Sequence, residues 1–173
     1  MALIKDRELS EDGWLYIADG ASVPAEGGAI VPLKRWRAER EQLSGRNAPI
    51  GVRLDPDTEA ESLSEDVARL DLIAVPFDQF KDGRGYSTAR LLRERFGFTG
   101  ELRAVGNVLR DQLAFLERCG FDSFEYAGGT AAAEALEAFD EIGVVYQTAT
   151  DRRQSAASTR NHPSRAFSNG TSG

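Results

Sequence analysis

The sequence predicts an α/β protein whose mainly parallel sheet carries four to five βα units, as an open sheet or a half-barrel. Three observations predict it. In residues 71–126 the short apolar runs 72–75, 102–105 and 123–126 alternate with two helix-like stretches. That is the pattern of βαβαβ, which calls for parallel strands joined by right-handed crossovers. Small-residue turns, Gly106-Asn107 and Gly128-Gly129-Thr130, follow two of the runs and stand ahead of helical stretches. Four or five core strands are too few for a closed eight-stranded barrel.

Each element has a local signal. Residues 3–4 and 14–17 flank Glu11-Asp12-Gly13, a turn signature that predicts a small N-terminal hairpin. Residues 19–28 are turn-rich and read as a surface loop. In 30–33, Pro32 confines any strand to an edge or a strand end. Leu33, Trp36, Arg40 and Leu43 recur at helical spacing until Gly45, predicting a helix near 34–43. Residues 50–54 make the first clear core strand, ended by Asp55-Pro56-Asp57. Leu63, Val67 and Leu70 suggest a short helix after Ser64, with Glu65 and Asp66 in its first turn.

The strand at 72–75 leads into Asp82-Gly83-Arg84-Gly85-Tyr86-Ser87 and a helix that Ser87 can cap and Gly97 can close. After the strand at 102–105, a helix carries Leu109, Leu113 and Leu116 on one face and stops at Gly120. An alanine-rich helix at 130–140 follows the strand at 123–126, and 144–146 reads as a last strand. Residues 148–173 have one aromatic, Phe167, too little apolar surface to offset ordering, and read as a flexible tail. The expected organisation is therefore a hairpin and loop in 1–29, an α/β domain in 30–147, and a tail in 148–173.

Composition excludes several classes. With 41 % hydrophobic and 28 % charged residues the chain reads as a soluble globular protein. It holds no run near 18 apolar residues, so no membrane span is expected. Its N-terminus turns polar too soon for a signal peptide. One cysteine forbids an intrachain disulfide and points to the cytoplasm. The net charge of −7 argues against nucleic-acid binding. With one Cys and one His, His162, no metal centre, iron–sulfur cluster or other cofactor is expected, and no G-x-G-x-x-G follows a strand. Cys119, on the apolar side of a helix end, reads as a buried structural thiol.

The residues able to do chemistry crowd into 82–87, after a strand, where sites form in parallel α/β folds. If Gly83 and Gly85 take positive φ, consecutive N–H groups converge into an anion nest. Arg84 supplies a bidentate fork, Tyr86 and Ser87 supply hydroxyl donors, and Asp82 supplies a base or an arginine orienter. Gly106 and Asn107, after the next strand, join the candidate site for a small oxyanion or phosphate ligand. A tight βα turn explains the same residues without a ligand.

The stretch from DGRGYSTARLLRERFGFTGELRAVGN through LERCGFDSFEY, residues 82–126, resembles a bacterial family of unassigned biochemical function, most specifically over the run 80–124. The family carries the label of an oxidoreductase of sulfite reduction, and its genes commonly neighbour that of the sulfite reductase haemoprotein. The resemblance covers about residues 30–147. Where the family shows Gly-Asp, this chain has Gly106-Asn107. The resemblance implies a role in assimilatory sulfite reduction and a haemoprotein partner, with no catalytic residues to carry over. The expectation is an accessory protein without its own redox centre. The alternatives are a small-oxyanion or phosphate-ligand enzyme using the 82–87 loop, and a purely structural subunit without a ligand; a half-barrel of this kind could pair as a homodimer.

Overall fold

A computed structural model describes residues 1–77, 83–128 and 131–140. They fold into one eight-stranded mixed sheet, open and curled as a half-barrel, with a few short helices. The strands are β1 (Ala2–Lys5), β2 (Glu8–Ser10), β3 (Trp14–Tyr16), β4 (Gly28–Pro32), β5 (Ile50–Arg53), β6 (Leu72–Phe77), β7 (Glu101–Val108) and β8 (Ser123–Tyr126). Their order across the sheet is β2-β1-β8-β7-β6-β5-β4-β3. From β3 to β8 every neighbour is parallel and consecutive in the chain. Crossovers of one hand between consecutive strands put all the covering segments on one face of the sheet.

Those segments are α1 (Leu33–Ser44), α2 (Arg84–Arg90) with a π turn (Leu91–Arg95), α3 (Leu113–Arg118) and α4 (Ala132–Ala135). Short 3₁₀ turns supplement them at Ala60–Leu63, Val67–Arg69, Arg110–Gln112 and Leu136–Phe139. The main core lies between them and the sheet, built from Trp36, Leu43, Val52, Ile73, Leu92, Leu102, Leu116 and Phe124 among others. A second, smaller cluster of Ile30, Leu72, Ala74 and Val105, with Trp14, lies on the opposite, concave face.

Several expectations change here. The sheet has eight strands rather than four or five. The N-terminal hairpin forms between β1 and β2, across Asp6 and Arg7 at φ 51° and 67°, and not across Glu11–Gly13. Positive φ at two successive residues is the type I′ geometry whose twist matches paired strands. Trp14–Tyr16 instead pairs with β4 at the far end of the sheet. The run containing Pro32 is an interior strand with the proline at its last position, where no further ladder bond is needed.

In place of a helix after Ser64 there is a 3₁₀ turn, Val67–Arg69, with another before it at Ala60–Leu63, and Asp66 is buried in a pair with Arg40 at 3.0 Å. Gly97 and Gly120 do take the left-handed conformation, at φ 64° and 111°. Residues 144–146 and the tail 148–173, with His162, lie outside the described residues. No helix among the described residues is long and apolar enough to cross a membrane.

Ser10 and Trp14 are four Cα steps apart, a reach of at most about 14 Å. Yet they belong to β2 and β3, the two ends of the strand order. Only a curled sheet satisfies both statements, and two contacts across the concave side report the curl directly. Tyr16 of β3 donates its hydroxyl to Glu125 of β8. Arg103 of β7 donates to both carboxylate oxygens of Asp12, at 2.8 and 3.1 Å.

Candidate functional site

At the carboxyl end of β6 the expected loop has a different geometry from a nest. Asp82 lies outside the described residues. Gly83 has φ −72° and ψ −4°, in the right-handed helical region, and α2 starts at Arg84. Gly85 is inside the helix and is not among the positive-φ glycines, so neither glycine is used for φ. What Gly85 provides is room: a Cβ there would stand 2.6 Å from Cζ of Phe77. Ser87 is exposed in the body of α2 rather than at its cap, and the cap position makes no side-chain hydrogen bond.

Tyr86 turns toward the helices. Its ring centroid lies 5.3 Å from that of Phe77 and 5.0 Å from that of Phe115, and Gln112 Nε2 donates to its hydroxyl at 3.5 Å. Burial raises its pKa. Tyr86 is thus a packing residue of the α2–α3 contact.

Gly106 and Asn107 belong to β7 itself, which runs three residues further than its apolar run suggests. Gly106 sits opposite Phe77 in the ladder at φ 94°. Between Ala104 and Val108 the register to β8 shifts, which marks a bulge, and Asn107 is exposed beside it. The structure therefore brings Gly85 and Gly106 to the same residue, Phe77, at one end of the sheet. Gly83, Arg84, Ser87 and Thr88 form one wall of an open groove of about 820 Å³. The facing wall carries Asp57, Glu59 and Glu61. Carboxylates there repel an anion and suit ion pairing with a basic partner. Of Gly128-Gly129-Thr130, Gly128 is described, and a Cβ on it would strike the ring of Tyr126 at 2.3 Å.

The concave face holds a network that sequence reading misses. Arg103 has no solvent exposure and donates to Glu101 at 2.7 Å, to Asp12, and to Glu125 at 3.4 Å. Lys5 and the Ser123 hydroxyl also donate to Glu101, at 2.7 and 2.8 Å. Burial works against the charge on Arg103, but the bonds to Asp12 and Glu101 outweigh it and raise its pKa. Burial likewise pushes Glu101 up, and Lys5, Arg103 and Ser123 together hold it below the ordinary range. Burial raises Tyr16, and its bond to Glu125 adds to the rise. The only hint in the sequence is the alternation Glu101, Arg103, Ser123, Glu125, which reads equally well as a solvated face.

A second missed cluster lies between the helices and the strand starts. Arg93, in the π turn, donates to the carbonyls of Gly120, Phe98 and Gly100 at 2.9, 2.7 and 2.8 Å. It also pairs with Asp122 at 2.8 Å. Burial pushes Asp122 up to about 6 against the pull of Arg93. Cys119 is fully buried, and burial raises its thiol, as expected of a structural cysteine. Among the described residues no group of three or more His, Cys, Asp or Glu could hold a metal ion.

The sheet also presents an open edge. No described strand pairs with the outer side of β3, where Leu15 is 56 % and Tyr16 45 % exposed. Glu11 and Asp19 on either side are exposed as well. β3 joins β4 through a loop rather than a helix, so no helix of its own covers Leu15. Arg35 and Arg46 instead hold that loop down, donating to the carbonyls of Ala21 and Pro24 at 2.7 Å each.

Comparison with curated proteins finds no match. A family model does match, over residues 51–157, which takes in β5 through α4 and continues beyond the last described residue. The sequence resemblance, read over 30–147, began earlier and stopped sooner. With well over half of its residues matched, the chain belongs to the family of bacterial proteins of unknown function DUF934.

Proposed function

We propose that this protein is a cytoplasmic accessory protein of assimilatory sulfite reduction that docks on the sulfite reductase haemoprotein without a redox centre of its own. The observation that carries the docking reading is the β3 edge. An unpaired strand with a large exposed apolar side chain, Leu15, between exposed acidic neighbours Glu11 and Asp19 supplies the apolar centre and polar rim of an interface. The acidic groove beside α2 adds a surface suited to basic groups. The choice of partner rests on the resemblance of residues 80–124 to a family whose genes neighbour the haemoprotein.

The test is recovery of the haemoprotein with tagged protein from cells growing on sulfate. Leu15→Asp places a charge in the centre of the edge without touching the core. It is expected to cut recovery at least tenfold, equivalent to about 1.4 kcal/mol, with the melting temperature unchanged. Equal recovery by the variant, or none by the wild type, defeats the reading.

A second reading, an enzyme for a small oxyanion or phosphate ligand, keeps one observation: Gly83, Arg84 and Ser87 share a groove wall. Calorimetric titration with sulfite, sulfate and phosphate separates the two. The docking reading expects no binding at millimolar concentration. Millimolar or tighter binding that weakens tenfold in Arg84→Lys, which lacks a bidentate fork, favours the enzyme.

A further inference from the structure

We infer that Arg103 and Glu125 are positioning residues for the β3 edge: reaching across the concave face, they clasp Asp12 and Tyr16 and hold Leu15 where a partner meets it. This role rests on the docking reading, and it explains why so short an edge keeps its shape. β3 has three residues, pairs with β4 alone among the described strands, and has no helix of its own over Leu15. A strand with so few bonds belongs to the least stable end of a fold unless something else fastens it. An edge that is mostly open weakens binding in proportion to the closed fraction that remains.

The fastening comes from alternate residues. Asp12, Trp14 and Tyr16 all turn to the concave side, and alternation leaves Leu15 on the other, 56 % exposed. Each of the three is held at a different place. Asp12 takes Arg103 through both carboxylate oxygens, at 2.8 and 3.1 Å, and its Oδ1 also accepts the Trp14 amide at 3.0 Å. Trp14 packs against the cluster of Ile30, Leu72, Ala74 and Val105, and a Cβ on Gly28 would stand 2.7 Å from its ring. Tyr16 donates its hydroxyl to Oε1 of Glu125.

The two polar fastenings meet at one atom. Nη1 of Arg103 donates to Asp12 Oδ2 and, at 3.4 Å, to the same Glu125 oxygen that takes the Tyr16 hydroxyl. Arg103 cannot follow β3 outward, because it is fully buried and Glu101 holds its Nε and Nη2 at 2.9 and 2.7 Å. β7 and β8, which carry Arg103 and Glu125, each have a strand on both sides, so the edge is tied to the interior of the sheet. Swinging β3 away takes both Asp12 oxygens from a buried guanidinium and bares the apolar cluster under Trp14. Both changes are unfavourable, and charge-assisted bonds are the stronger kind to lose.

Hydrogen exchange and haemoprotein recovery, read on the same variants of the full-length chain, test the clasp. The probe amide is that of Ile17, which donates to the Ile30 carbonyl at 2.8 Å and closes the β3–β4 ladder. Glu125 stands on β8, across the concave face from the outer side of β3, so replacing it alters the clasp and not the docking surface. Glu125→Ala should bring Ile17 close to the exchange rate of an open amide, with β5, β6 and β7 as in wild type, and lower recovery about tenfold. Glu125→Gln keeps an oxygen acceptor for the Tyr16 hydroxyl and should restore both readouts. Tyr16→Phe removes the same bond from the other side and should match Glu125→Ala in exchange, which decides the matter if Glu125→Ala does not fold. Wild-type exchange at Ile17 in both Glu125→Ala and Tyr16→Phe overturns the clasp. So does faster exchange spread evenly through β5, β6 and β7, or an open Ile17 with undiminished recovery. A wild type that recovers no haemoprotein defeats the docking reading and the positioning role with it, whereas undiminished wild-type recovery beside any of those three outcomes defeats the clasp alone.

Discussion

Gly85 shows how one residue type supports opposite readings. Two glycines around an arginine after a strand suggest an anion nest, yet both adopt helical backbone. The hydrogen side chain of Gly85 lets the buried ring of Phe77 lie against α2, where a Cβ would approach to 2.6 Å. A methyl group in that contact costs about 1–3 kcal/mol of overpacking, offset by roughly 1 kcal/mol of better helix propensity. Gly85→Ala should therefore lower stability by about 1 kcal/mol in urea unfolding. A variant more stable than wild type would show that the glycine is not there for packing. Tyr86 teaches the same lesson: its hydroxyl looked like a ligand donor, but its ring fills the space between Phe77 and Phe115.

At the scale of elements, local signals place strands and helices well and their partners poorly. The cores of β5, β6, β7 and β8 coincide with the apolar runs, because those runs are covered by helices on one side. β7 extends past its apolar run because the left-handed Gly106 makes a bulge instead of a stop. The same residue type ends helices at Gly97 and Gly120, and sequence alone does not separate a bulge from a cap. The segment before residue 71 carries helical spacing at Leu63, Val67 and Leu70. It forms 3₁₀ turns because Asp66 turns inward to Arg40. Trp14–Tyr16 is a strand as its composition suggests, but its partner is β4, reached after an eleven-residue loop.

For the whole molecule the decisive feature is the curl of the sheet, which turns a charged face inward. Glu101 is held by Lys5, Arg103 and Ser123 at 2.7, 2.7 and 2.8 Å, and its side chain is 7 % exposed. Its pKa is lower in the folded chain than in the unfolded one. The contribution is thus present above the unfolded value, about 4.3, and is lost as pH falls through the folded value. Urea unfolding followed from pH 7 to pH 3 should show stability dropping below about pH 4.3. Glu101→Gln should be less stable at pH 7 and should drop less steeply over the same acid range. An acid slope identical to that of wild type would mean that the network does not sense this carboxylate.

The sequence by itself determined the α/β class, the parallel βα repeat, every described strand but β2, the buried character of Cys119 and membership of a bacterial family of unknown function. These follow from period, turn chemistry and composition, which act within a few residues. Only the tertiary structure decided that Glu11–Gly13 joins opposite ends of one sheet. It also decided that Arg103 is buried among carboxylates and that the 83–87 segment faces an acidic wall. The physical reason is that alternation along a strand tells which side chains share a face. Whether that face meets water depends on the curvature of the sheet, which is set by strands distant in sequence.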